Sequence, residues 1–405
     1  MPTDTTFVPP LAGPRSPVHR PWHAPVTQPG PVLFATLFTV DSIARAIVAP
    51  VLPLEALRLL GSARDVSIMV TIVGIAGVVA ALILPGIILR WRPRATYLLS
   101  IALLGIASLA MMTAHIAGFG LGWMLRAMAA AGLLGLLNIY IAAFIGKKAL
   151  AKSEPLRTFF SATAWAGGPF LGIRLYEIDP ALPFVVSAGT ALLLFLYFRR
   201  LRLQAPVPGI AQRSNPVANI RRYFGQKRLT LAWILNFGRE TWWVTLFTYA
   251  PIYLVQNGMP QVAAGNLLSA CTAMLFVALV FGWLGRRIGL RRFIAGAFLW
   301  VSAATFGVVW FHDRPDIASA LLIVSAVGAV SLDSVAVVTF LRAVRSFERP
   351  QMTMVFSIFR DAAALIPPAI FAVLLTFFPL WTVFLVNAGF ALICAGLALK
   401  LPRRL

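Results

Sequence analysis

Eight ionisable residues fall inside long apolar runs: Asp41, Arg45, Arg126, Arg239, Glu240, Asp333, Arg360 and Asp361. Burying a charge in hydrocarbon is costly, so each is a functional candidate by default. Four are acids and four are bases, so the set can be neutral. Two chemistries suit such a set. Static ion pairs would tie helices together. Alternatively, the acids would exchange protons while the arginines hold them deprotonated or receive an anion. Asp41 and Arg45 are four positions apart and share a helix face. A carboxylate that pairs with Arg45 and is then released can take up and return a proton. Arg239 and Glu240 are adjacent, and neighbouring helix positions diverge by about 100°, which predicts that they face different walls. Trp242 and Trp243 follow them and suit an amphipathic or aromatic solute, partly through cation–π contacts, or else pack against lipid and helices. Arg360 and Asp361 precede Pro367 and Pro368, where a kink is predicted.

The elements that must hold these residues follow from composition. The chain has 405 residues, is 60% hydrophobic and only 12% charged, and has a mean hydropathy of +0.85. A soluble protein is near 25% charged. This is an all-α membrane protein, and twelve transmembrane helices are predicted at 31–52, 65–89, 95–115, 118–146, 156–176, 180–198, 229–256, 261–284, 292–311, 317–341, 351–376 and 378–399. Residues 1–30 hold eight prolines and no apolar run, and read as a disordered cytoplasmic tail, leaving the first span as the insertion signal. Six spans (31–198) and six spans (229–399) flank a basic loop at 199–228, and 400–405 form a second cytoplasmic tail. Within the loop, 217–224 reads as an amphipathic helix on anionic lipid or as part of a solvated linker.

Net charge is +22, but the lysines and arginines are not spread over a nucleic-acid-binding face. Of 35, 27 fall in alternate loops and tails, Lys147, Lys148, Lys152 and Arg157 among them, and four in the opposite loops. That asymmetry places both termini in the cytosol. Cys271 and Cys394 lie in apolar spans, so no structural disulfide is expected, and no metal-ligand spacing occurs. No nucleophile elbow, zinc-protease run or nucleotide-phosphate loop is present, so no catalytic residue and no cofactor is assigned.

Span five contains Trp165-Ala166-Gly167-Gly168-Pro169-Phe170-Leu171-Gly172. Pro169 predicts a kink near Trp165, and the glycines permit close approach of another helix, so Gly168, Pro169 and Gly172 form a candidate hinge. The halves also echo one another. Gly86 is followed by Arg90, Arg92 and Arg94, and 196 positions later Gly282 is followed by Arg286, Arg287, Gly289 and Arg291. Gly168-Pro169 likewise answers Ile366-Pro367, and Asn138 answers Asp333. Two pseudo-symmetric six-helix halves around a central cavity are a transporter architecture.

These motifs resemble those of the Major Facilitator Superfamily over the whole chain beyond residue 30. Gly168-Pro169-x-x-Gly172 is similar to the fifth-span signature of its exporters. Arg126-x-x-x-Ala130-x-Gly132 resembles their fourth-span signature, with Ala130 replacing a glycine, and Asp41 followed by Pro50 resembles their first-span acidic signature. The loop signature matches best at Gly282, Arg287 and Gly289, whereas Arg90 and Arg286 stand where the family has aspartate. The resemblance implies proton-coupled efflux of a small organic solute. Proton-coupled uptake of an anionic solute is the alternative, and a non-transporting receptor or scaffold is a third reading. Spans 1, 4, 7 and 10 line the cavity in this superfamily, and six of the eight charges lie on them. The expected proton relay is Asp41, Arg45, Arg126, Glu240, Asp333 and Asp361; the expected substrate cavity is Asn138, Trp165, Arg239, Trp242, Trp243 and Arg360. The expected partners are the solute, protons and the lipid bilayer, with no nucleic acid, in a monomer at the plasma membrane (the inner membrane if the source is bacterial).

Overall fold

The computed structural model describes residues 29–145, 147–203, 216–345 and 348–402. The tail before residue 29, the loop core at 204–215 and the terminal residues 403–405 lie outside the described residues. Those described form fourteen α-helices and one short 3-10 turn, with no strand among them. The helices are α1 (Pro31–Val48), α2 (Val51–Leu60), α3 (Ala63–Met111), α4 (Ile116–Phe144), α5 (Lys147–Ile178), α6 (Leu182–Leu201) and α7 (Pro216–Phe224). They continue as α8 (Lys227–Gln256), α9 (Gln261–Ala273), α10 (Ala278–Ile288), α11 (Leu290–Trp310), α12 (Pro315–Ala343), α13 (Arg349–Phe377) and α14 (Thr382–Ala398).

Among the described residues, nine helical stretches are long and apolar enough to cross a membrane. Helices α5 and α8, of 32 and 30 residues, are also long enough, and α14 is apolar but has 17 residues. Apolar side chains face outward in number: Leu82, Ile178, Leu193, Leu279, Val373 and Phe377 are all exposed. That inverts the burial pattern of a water-soluble protein and makes a lipid-facing belt.

The turns explain several boundaries. Helix α1 stops before Pro50, whose ring cannot continue the ladder, and α2 resumes at once. Helix α3 runs through the first basic turn with a single non-helical residue, Arg92, at φ 65° and ψ 154°. The answering turn between α10 and α11 is made by Gly289 at φ 93°. A proline cannot adopt positive φ, so with Pro93 at the position answering Gly289 the reversal falls on Arg92 instead. Helix α5 begins at Lys147, so Lys147, Lys148 and Lys152 stand on a helix rather than in a loop, as does Arg157 at the edge of the predicted span. The basic run expected as either membrane-lying helix or linker forms α7, whose Tyr223 is buried and stacks on Phe340 of α12.

Three apolar clusters hold the bundle. The largest draws on both halves of the chain, bringing Val66 and Val70 of α3 and Ile173 of α5 together with Tyr249 of α8, Leu268 of α9 and Phe371 of α13. Nearer the basic turns there are two separate clusters. One is built from the first half, around Tyr97, Tyr140 and Phe198. The other is built from the second half, around Tyr223, Phe340 and Phe356. The bundle is thus sealed by shared packing at one end and divided at the basic end.

Candidate functional site

Helix α5 packs on α1 because its glycines remove every obstacle: a Cβ on Gly172 would lie 1.8 Å from the Ile47 carbonyl oxygen, and one on Gly168 would lie 2.5 Å from the Ala46 Cβ. Gly167 faces open space. Pro169 has no N–H for the Trp165 carbonyl one turn back, and that carbonyl instead accepts from the Thr272 hydroxyl of α9 at 2.7 Å. The Phe170 N–H donates to Ser269 Oγ at 2.9 Å. The break in the α5 ladder is therefore spliced to α9. Across the bundle, Gly74 of α3 lies against the Ala364 carbonyl, the one left without an N–H partner by Pro368; a Cβ there would stand 2.9 Å from its oxygen. Tyr249 closes the same end, donating to Ser67 Oγ at 2.9 Å.

Beneath the seal, one charge group sits on α8 and α12. Arg239 pairs with Asp333 and, at 2.8 Å, with Glu240. Trp243 Nε1 donates to the other Asp333 oxygen at 3.0 Å. The expectation that Arg239 and Glu240 face different walls is corrected here: their backbone positions diverge, but the long guanidinium stem folds back over the neighbouring carboxylate. Arg239 also lies 5.6 Å from the Phe359 ring. Arg360 is exposed although it lies mid-helix on α13, 5.5 Å from the centre of the same ring. It has no hydrogen-bond or ion-pair partner among the described residues, and it lies in the electrostatic field of Glu240, Arg239, Arg157 and Asp333. Asp361 feels Arg360 and Glu240. Trp242 is buried in the shared core with its ring edge-on to Trp243, so it supports the wall rather than presenting a face to a solute. Trp165 meets Phe247 edge to face at 5.3 Å, and Phe247 stacks on Trp243.

A second group sits on α1, α4 and α5. Asp41 and Arg45 pair at 2.8 Å, with Asp41 only 5% exposed and its Oδ1 without a partner among the described residues. Arg126 is as deeply buried, yet no acid pairs with it among the described residues. Its Nη2 donates to the Ala44 carbonyl at 3.0 Å and its Nη1 reaches Ser187 Oγ at 3.4 Å, while Ser187 donates to the same carbonyl at 2.8 Å. The Ala44 carbonyl and the Ser187 hydroxyl thus supply the polar contacts of a buried cation. Arg157, at the very start of predicted span five and counted there with the cytoplasmic cations, reaches into the interior from α5. It donates to Asn138 Oδ1 at 3.2 Å and stacks 4.8 Å from Phe38, a ring that Arg45 also approaches at 5.9 Å.

At the basic end, Arg286 and Arg287 are exposed, and Arg287 lies 4.2 Å from the Trp283 ring. Gly282 has room around it, and Gly86 and Gly289 meet nothing within contact. Arg90 is exposed. An ion pair at this end, among the described residues, joins Arg222 of α7 to the buried Glu348. Sequence reading missed Glu348, Ser187, Ser269 and Thr272. A hydroxyl or a loop acid carries no signal until its distant partner is known.

Comparison with known proteins decides the family. The Major Facilitator Superfamily profile matches residues 34–311. The chain belongs to the Major Facilitator Superfamily. No curated protein matches it in full-sequence comparison. Among solved structures, a D-xylose-proton symporter is 12% identical with a TM-score of 0.72, covering 92% of this chain and 97% of that one. A variant of the nucleoside transporter NupG is 14% identical with a TM-score of 0.71, covering 92% and 99%. A bacterial homologue of the human lysosomal transporter Spinster, inward-facing and unoccupied, is 12% identical with a TM-score of 0.70, covering 91% and 95%. These likenesses show the fold. The Major Facilitator assignment makes the chain an integral membrane protein of transporter type rather than an enzyme. Its similarity extends to nucleoside, sugar and peptide transporters, not to a drug exporter in particular.

Proposed function

We propose that this chain is a proton-coupled secondary transporter of a small organic solute, working by alternating access of one cavity between two six-helix halves. The halves are 31–198 and 229–399. On this reading α1 with α2, and α9 with α10, each count as one span, and α3 counts as two, which makes twelve. The basic end is cytoplasmic by the positive-inside asymmetry, so the cavity in this conformation opens inward. The direction we propose is efflux, on the Gly168-Pro169-x-x-Gly172 run.

The observation that carries the proton coupling is the sharing of Arg239 between Asp333 and Glu240. One guanidinium neutralises one carboxylate, and a proton can supply the missing positive charge on the other. Loading and releasing that proton changes the hold of α12 on α8, which is the differential interaction a two-state carrier needs. Asp41, whose Oδ1 is buried and unpartnered beside Arg45, is a second protonatable group. The test is proton movement in inside-out vesicles with an acidified lumen and a panel of amphipathic and anionic compounds. Wild type is expected to discharge the gradient when a substrate is added. Asp333→Asn and Asp41→Asn are run beside it, and Asp333→Asn is expected to abolish the response. An undiminished response in Asp333→Asn moves the coupling site elsewhere. Uptake of an anionic solute with protons is the second reading, favoured by Arg360, which has no ion-pair partner among the described residues, and the same assay separates it by the sign of the proton flux.

A further inference from the structure

Helix α7 and the start of α8 make a corner that the proposed transport cycle does not use. Tyr223 is fully buried, its ring stacked on Phe340 of α12, and its hydroxyl donates to the Leu229 carbonyl at 3.1 Å. The Thr230 hydroxyl ties the other arm, donating to the Phe224 carbonyl at 3.0 Å. Arg222 pairs with the buried Glu348. The corner is therefore fastened to the second half of the chain rather than slung loosely between the halves.

Its outward surface is amphipathic. Ile220 and Phe224, one helical turn apart, are 40% and 42% exposed. Arg221 stands beside them, and Lys227 and Arg228 open α8. All three cations are exposed, and none has an ion-pair partner among the described residues. The chain offers them little compensation, since no acid occurs between residues 199 and 239 and Glu348 is taken by Arg222. An aromatic row sets the depth. Phe224 meets the Trp233 ring edge to face at 5.6 Å, and Trp233 stacks on Phe237 at 5.2 Å. Trp233 follows Lys227 by six residues, about 9 Å along α8 at 1.5 Å per residue. Tryptophan near a helix end favours the headgroup level of a bilayer. That puts the cations at the height of lipid phosphates, with Ile220 and Phe224 at the acyl boundary. Cations alone would suit any polyanion; an exposed apolar pair beside them fits a lipid, and not a nucleic acid or a free phosphate.

We propose that Arg221, Lys227 and Arg228, together with Ile220 and Phe224, form a binding surface for anionic phospholipid. The cations hold the phosphate, and the apolar pair lies along the acyl chains. Because α7 is fastened to α12 and to Glu348, the bound lipid anchors the second half of the chain. The surface is independent of the solute and of proton coupling.

The purified full chain in detergent is titrated with phosphatidylglycerol and, as the zwitterionic control, with phosphatidylcholine of the same acyl chains. Native mass spectrometry counts the lipid bound. Wild type is expected to bind phosphatidylglycerol about tenfold or more tightly than phosphatidylcholine. Combining Arg221→Gln, Lys227→Gln and Arg228→Gln should cut that preference by about tenfold or more, since each basic residue at an anionic surface contributes about fivefold. Combining Arg199→Gln, Arg200→Gln and Arg202→Gln removes the same charge at the end of α6 and should leave the preference largely intact. Melting temperature without added lipid reports folding. If the triple variant at the corner does not fold, Arg221→Gln and Arg228→Gln singly carry the test, each with about a fivefold loss. The surface is overturned if wild type does not distinguish the two lipids, if the corner variants keep the preference, or if the α6 variant loses as much. Displacement of phosphatidylglycerol by inorganic phosphate or by an oligonucleotide at the same concentration would overturn the lipid as the occupant.

Discussion

Single residues carry the departures from regular geometry. Arg92 occupies a backbone region that suits glycine, at a cost of about 1–3 kcal/mol. Its side chain is exposed, so replacing it removes little packing. Arg92→Gly is expected to gain about 1 kcal/mol after the extra flexibility of glycine in the unfolded chain is subtracted. The measurement is the apparent melting temperature in detergent, and a lower value in Arg92→Gly would refute the strain. Gly289→Ala is the mirror test and should lower it, since its φ of 93° is unfavourable for alanine even though the space around it is empty. At this scale the sequence was partly legible. The Asp41–Arg45 pair follows from helical spacing alone. Arg239 with Asp333 does not, because the partners are 94 positions apart and only tertiary packing joins them. Arg157 was hidden by its company: its basic neighbours put it with the cytoplasmic cations, although it stands at the edge of the predicted span, and the helix that begins at Lys147 carries it inward.

At the scale of the helix, α5 is the element on which both neighbours depend. Its small-residue face seats α1, and its proline break is stitched to α9. The glycines of 165–172 do different things, which sequence spacing does not reveal. Gly172→Ala sets a methyl group against the Ile47 carbonyl and is expected to cost about 1–3 kcal/mol as the helices separate. Gly167→Ala meets nothing within contact and is expected to be neutral or to gain about 0.5–1 kcal/mol from helix propensity. Melting temperatures of the two variants beside wild type check the contrast, and equal losses would mean that α5 is held by something other than this face. The kink expected at Trp165 is a finding of a different kind in the structure: α5 stays helical through Ile178, and the freed carbonyl finds Thr272. A proline marks where a donor is missing, but the sequence does not say which helix supplies the replacement.

For the whole molecule, apolar periodicity and the basic asymmetry make the helical membrane class readable from sequence, whereas the conformation is set by which end is packed. The sealed end is held by Tyr249 on Ser67, by Gly74 against Ala364, and by Ser269 and Thr272 on the broken turn of α5. On the proposed alternating-access cycle, those contacts would part when the basic end closes. The hydroxyl pair is the part of the seal that can be removed with little change of shape. Ser269→Ala with Thr272→Val strips the α9 donors and acceptors and leaves the Trp165 carbonyl unsatisfied, a loss of about 1–3 kcal/mol from the sealed state. If that state exceeds its outward-open counterpart by a similar margin, the double variant shifts the population by about tenfold to a hundredfold. Ser67→Cys, placed where the hydroxyl is fully buried, reports the shift in a background with Cys271 and Cys394 replaced. A membrane-impermeant maleimide applied from the side opposite the basic end should label Ser67→Cys slowly in the otherwise native protein and much faster in the double variant. Equal labelling in both would mean that the α5–α9 splice does not hold the gate, and the seal would then rest on the apolar cluster around Tyr249 and Phe371.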